Sequence, residues 1–142
     1  MANPPQWALD FTEKATLYYN ELTGKDYRTP TIQWKKSKNE VTTGSAFTDK
    51  NLVIVRYGTY LHKFSKHKIS LRVNHKLTLA HEIAHCFSPT HHHDSIFWRI
   101  AWDLYKWAKI PMWYAKWNEG WYKKKSLVVL KQMKAEAKSR KE

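Results

Sequence analysis

The stretch Thr78-Leu79-Ala80-His81-Glu82-Ile83-Ala84-His85-Cys86-Phe87 limits what this chain can become more than any other. Read as a helix, it puts His81 and His85 one turn apart on a single face, because residues at i and i+4 are neighbours there. Two imidazoles so placed can share one tetrahedral metal ion. Glu82 lies about 100° further round the helix, so it does not join them as a ligand but can reach a water held on the metal. Leu77, Ala80, Ala84 and Phe87 recur at i, i+3, i+7 and i+10 and form a separate apolar stripe that seats the helix against a core. The pattern is HExxH: two ligands, one general base and a buried back face. Eight histidines raise the rate of chance matches, but the apolar stripe in the right phase argues against coincidence.

Catalytic zinc takes three protein ligands and keeps a fourth position for water. His91-His92-His93 is the source of the third. His91 has the spacing from His85 of HExxHxxGxxH sites, with Ser88 where their glycine stands. His93 sits at the mouth of the following helix, with Phe97 and Trp98 close behind. Adjacent side chains diverge, so the three cannot ligate together, and spacing alone leaves both His91 and His93 open. In such a site Glu82 takes the proton of a metal-activated water and passes it to the leaving amine. An oxyanion partner is also required, for which Tyr57, Tyr60, His62, His67 and Arg72 are the candidates.

A chain of 142 residues fits one domain, here residues 1–142, with a basic, Trp-rich helical extension from about 111. A hydrophobic content of 42% with 15% aromatics excludes a disordered chain. No apolar run approaches the roughly 20 residues of a membrane span, and Met1-Ala2-Asn3-Pro4-Pro5 lacks the features of a secretion signal. Cys86 is the single cysteine, which excludes an internal disulfide and suits a reducing compartment. Together these predict a cytoplasmic protein without a membrane partner. Cys86 itself follows His85, points away from the ligand face and reads as a small buried apolar residue.

The net charge of +13 is unevenly spread. Residues 31–80 carry ten basic and two acidic side chains, and residues 106–142 carry eleven and three. Residues 81–105, by contrast, carry one basic and three acidic. Two strongly basic segments thus flank the histidine region, and such a distribution attracts polyanions, nucleic acid foremost, through phosphate neutralisation. A lysine-rich solubilising surface is the plainer alternative. Lysine outnumbers arginine, which argues against base-specific reading.

Trp7, Phe11, Ala15, Tyr18 and Leu22 predict an amphipathic helix over Gln6–Leu22, closed by Gly24. Strands are predicted over 31–35, 41–47 and 52–57, linked as an antiparallel meander, and Ile69, Leu71 and Val73 alternate as a fourth. Asn74 is the expected N-cap of the metal helix and Asp94 that of the next, about 95–109. Beyond Pro111, Trp113, Trp117 and Trp121 recur at i, i+4 and i+8, as a core stripe or partner groove before a base-stacking platform. Gly120 predicts a break before a lysine-rich terminal helix at 127–138. The fold class expected is α+β: a small domain with an N-terminal helix, a three- to four-stranded mainly antiparallel sheet, the HExxH helix and further C-terminal helices.

The segment Thr78 to His85, followed by His93-Asp94-Ser95-Ile96-Phe97-Trp98, resembles the SprT-like (Spartan) metallopeptidases and the related WLM and minimal zincin groups. Those have a TLxHExxH helix, then a histidine preceding an xxxF pattern on the next helix. The resemblance covers roughly residues 31–105. It implies zinc on His81, His85 and His93 with Glu82 as general base, a protein or peptide substrate, and, from its best-known branch, proteins bound to DNA rather than RNA. Asp94 replaces the glycine frequent after the third histidine, and no zinc-ribbon cysteine pairs follow. The expected function is therefore a zinc metallopeptidase acting on nucleic-acid-associated proteins. Its rival is a non-catalytic nucleic-acid-binding protein with a structural or vestigial zinc site.

Overall fold

The computed structural model describes residues 3–63, 65–90, 92–122 and 124–141. Helix α1 (Gln6–Thr23) buries Ala8, Phe11, Ala15 and Tyr19 along one face. It stops at Gly24, whose φ of 70° lets its N–H close back on the Asn20 carbonyl.

Strands β1 (Thr31–Lys36), β2 (Thr43–Phe47) and β3 (Leu52–Tyr57) form one sheet in the order β1-β3-β2. β3 runs parallel to β1 and antiparallel to β2, so the sheet is mixed and three-stranded, not the expected meander. The reason lies in β3, where Val53, Ile54 and Val55 are buried in succession. Side chains buried on both faces need a central strand. β2, reading Thr-Gly-Ser-Ala-Phe, carries small residues and takes an edge.

The fourth strand expected around 69–73 does not form. Helix α2 (Leu71–Phe87) begins there instead, capped by the Ser70 hydroxyl, which accepts the Val73 N–H at 3.2 Å. Asn74, expected as the cap, lies inside the helix and donates from its side-chain amide to the Tyr114 hydroxyl at 2.7 Å. Helix α3 (Ser95–Trp107) starts at Asp94 as expected, with the carboxylate accepting the Phe97 N–H at 3.0 Å.

The segment beyond Pro111 forms two helices, α4 (Met112–Tyr122) and α5 (Lys124–Lys141), not one unbroken helix, as Gly120 predicts. Gly120 itself lies in the last turn of α4, and α5 starts ahead of the expected Leu127. Gly120 has a packing role, since a Cβ at that position would lie 2.8 Å from Leu127 Cδ1. α5 is tied to α3 by the Trp102 indole N–H on the Ser126 carbonyl at 2.8 Å and by an exposed Arg99–Glu136 pair at 2.6 and 2.9 Å. Trp117 packs partly buried against the core and stacks on Tyr114, whereas Trp113 is 42% exposed. The Trp121 side chain lies outside the described residues.

One hydrophobic core draws on β1, β3 and all five helices, with Trp98, Trp102 and Tyr105 of α3 packed against Leu77, Leu79, Ile83 and Phe87 of α2. Cys86 packs at its margin, and burial pushes its thiol up to about 12, so it serves as an inert apolar filler. Among the described residues no helix is long and apolar enough to cross a membrane.

Candidate metal centre

Helix α2 presents His81 and His85 toward the cavity while Leu77, Ala80, Ala84 and Phe87 seat it in the core. The loop into α3 swings His93 across to meet them. Its Nε2 lies 3.1 Å from His81 Nε2 and 3.2 Å from His85 Nε2. One ligand atom from each of the three falls within 4.8 Å of the other two. His91, the other candidate on spacing, lies outside the described residues.

Two nitrogens bound to one tetrahedral zinc at about 2.0–2.1 Å are about 3.3 Å apart, so these separations suit a shared cation. The supporting groups fix which nitrogen faces inward. His81 Nδ1 lies 3.1 Å from Glu119 Oε1, which also accepts the Tyr105 hydroxyl at 2.5 Å. A carboxylate only accepts, so Nδ1 carries the proton and donates it, leaving Nε2 with a lone pair toward His85 and His93. Three ring nitrogens converging in this way are a donor set for a divalent metal. Below them Phe97 and Trp98 are fully buried, and the Phe97 ring stacks on His85 with centroids 4.2 Å apart. That wall keeps water off one side of the cluster.

Asp94 holds the loop in place. Its second oxygen accepts the Thr90 hydroxyl at 2.8 Å while the first caps α3. Those hydrogen bonds, the Phe97 N–H foremost, keep its carboxyl below the usual range.

Glu82 is only 8% exposed and lines the same cavity of about 340 Å³ as the three histidines. Strand β2 crosses beside it at Gly44, where a Cβ would fall 2.6 Å from Glu82 Cγ. The glycine therefore lets strand and carboxylate approach. Burial raises the Glu82 carboxyl above its ordinary range, His81 opposes the rise and Glu119 adds to it. On His81, burial is the largest influence and lowers the pKa, but the charge and hydrogen bond of Glu119, with Glu82, outweigh it and raise the group overall. Burial and Glu119 push the Tyr105 hydroxyl well above 10, which keeps it a neutral donor.

Of the oxyanion candidates, Arg72 lies over the Trp7 ring at 4.6 Å and Tyr57 stacks on Trp34. Tyr60 and His62 line a neighbouring depression, and His67 is exposed on the 65–68 turn. None lines the histidine cavity; Thr42, Thr78 and Asn118 do. No family model, curated protein or solved structure matches the chain.

Glu119 was not anticipated from the sequence, although it stands in phase with Ala115, one turn earlier on the buried side of α4. An acid buried to 3% exposure needs partners, and here they are His81 and Tyr105. Glu119→Gln is expected to weaken metal affinity by about 10- to 100-fold, measured by competition with a chromogenic chelator. An affinity equal to that of the unaltered protein removes Glu119 from this role.

Proposed function

We propose that this chain is a zinc-dependent peptide hydrolase of the SprT-like kind, acting on proteins associated with nucleic acid. The observation that carries the reading is the convergence of three histidine nitrogens beside one buried carboxylate in an open cavity. Among the described residues the converging group holds these three alone, which suits a catalytic site with an open position better than a closed structural one.

When bound, zinc supplies Lewis acidity, lowering the pKa of a coordinated water and polarising a carbonyl. His81, His85 and His93 hold it, and Glu119 fixes the His81 ring. Glu82 accepts the proton of the attacking water and returns it to the leaving amine. β2 has no ladder partner on its outer edge among the described residues, so an extended substrate can pair with it alongside the cavity. Asn118 borders the cavity with Thr42 and Thr78, and these are neutral donors available to a developing oxyanion.

The nucleic-acid part rests on charge. A depression lined by Lys35, Lys36, Lys38 and Arg56 shares Thr43 with the histidine cavity. A phosphate backbone held there lies next to the cleft.

The test is hydrolysis of an unfolded basic protein by purified, zinc-loaded chain, with and without duplex DNA. Cleavage is expected to need zinc, to stop on chelation, and to rise with DNA at low salt. Lys35→Glu with Lys38→Glu is expected to abolish the DNA effect while leaving DNA-free cleavage intact. Stoichiometric zinc without any cleavage supports instead a non-catalytic binding protein.

A further inference from the structure

The C-terminal helices carry a second feature, remote in chemistry from the histidines. A groove runs between α4 and α5, with Leu127, Val128 and Leu130 as its floor and Lys116, Lys131 and Lys134 along its rim. Leu127 is 39% and Val128 55% exposed, a costly arrangement for neighbouring aliphatic side chains in a chain this polar. Among the described residues that line it there is no carboxylate. Lys116 lies close to Lys134, and Lys106 adds its charge, which Asp103 partly offsets, so like charges gather along the rim. The pKa of Lys134 is lowered accordingly, by Lys116 above all.

Apolar floor and cationic rim together narrow the occupant. A second copy of the chain brings the same lysines and a net charge of +13, so it is repelled. A bilayer is flat and does not enter a furrow between two helices. Past Leu130, moreover, α5 reads Lys131-Gln132-Met133-Lys134-Ala135-Glu136-Ala137-Lys138, with no continuing apolar stripe to lie on lipid. Nucleic acid satisfies the lysines but leaves the floor unused, because Leu127, Val128 and Leu130 offer no ring for a base to stack on. A helical segment with one apolar and one acidic face satisfies both.

We propose that the groove between α4 and α5 docks an acidic amphipathic segment of a protein partner. Apolar side chains of that segment cover Leu127, Val128 and Leu130, and its carboxylates meet Lys116, Lys131 and Lys134. From Leu127 to Lys134 the floor and rim extend about 10 Å along α5, so roughly two turns of a partner helix fill it.

The probe is a fluorescent 14-residue peptide with leucines on one helical face and glutamates on the other, titrated against the full chain. Saturable binding is expected, weakened about tenfold by Val128→Asn and by Lys134→Glu. A peptide with serine for every leucine is expected to bind at least tenfold more weakly than the parent. Both variants change exposed positions, and a melting curve matching the parent shows that they fold. Equal binding of the serine peptide reduces the site to bulk charge and overturns the proposal. Val128→Asn leaves the charge unchanged, so it separates the other occupants. If it releases the chain from a DNA duplex, from phosphatidylserine vesicles or from a self-associated dimer, the groove belongs to that partner and the proposal falls.

Discussion

Glu82→Gln is expected to keep a full equivalent of zinc while lowering turnover by about 10²–10⁴-fold, the usual contribution of a positioned general base. The amide has nearly the shape of the carboxylate it replaces, so the tight passage against Gly44 is undisturbed. It cannot accept and return a proton. The position also suits the task, since burial lifts the carboxyl of Glu82 toward the range where a base works near neutrality. A divalent cation on the adjacent imidazoles pulls the other way. Metal content by emission spectroscopy and initial rates on a protein substrate check the two halves separately. Rates equal to those of the unaltered chain refute the assignment of Glu82; loss of zinc would instead make it part of the grip.

His93→Ala should have the opposite signature, with the metal lost first. Only His81 and His85 then remain, and the expected drop in affinity exceeds the roughly 10–100-fold that changes outside the ligand set produce. His93 approaches both partners through one nitrogen, at 3.1 and 3.2 Å, so no rotation of the other two makes good its removal. The fold should survive, because Asp94 and Thr90 hold the loop through their own hydrogen bonds and Phe97 stays buried beneath it. Zinc retained near stoichiometry in a well-folded His93→Ala protein assigns the third position elsewhere, with His91 the first to examine.

The helix that carries the site is legible because its signal is periodic and its cap local. His81, Glu82 and His85 need only the 3.6-residue repeat, and the stripe from Leu77 to Phe87 shows which side faces inward. Asp94 could be read as a cap for the same reason. The sheet was harder. Alternation finds strands but not their order, and the run of apolar residues in β3 is the one clue that the last strand lies centrally. Ile69, Leu71 and Val73 alternate as a strand would, yet they straddle a helix start, where Ser70 caps the first turn through the Val73 N–H. Gly120 marks the division of the C-terminal segment to within a turn, since α4 ends just beyond it and Leu127 of α5 packs against it. Glu119 could not be found by spacing from the motif, since its partner His81 is 38 positions away.

That last separation has a consequence for how the chain can be cut. Any version ending before Met112 keeps every imidazole of the cluster yet lacks the oxygen that orients the first of them. Such a fragment still displays the complete motif in print. Its His81 Nδ1, however, keeps only the Tyr105 hydroxyl at 3.2 Å, which can donate to that nitrogen and favour the other tautomer, and its grip on a cation slackens accordingly. The boundary of the working unit is thus drawn by one carboxylate on α4, well beyond the last residue that a motif search would mark.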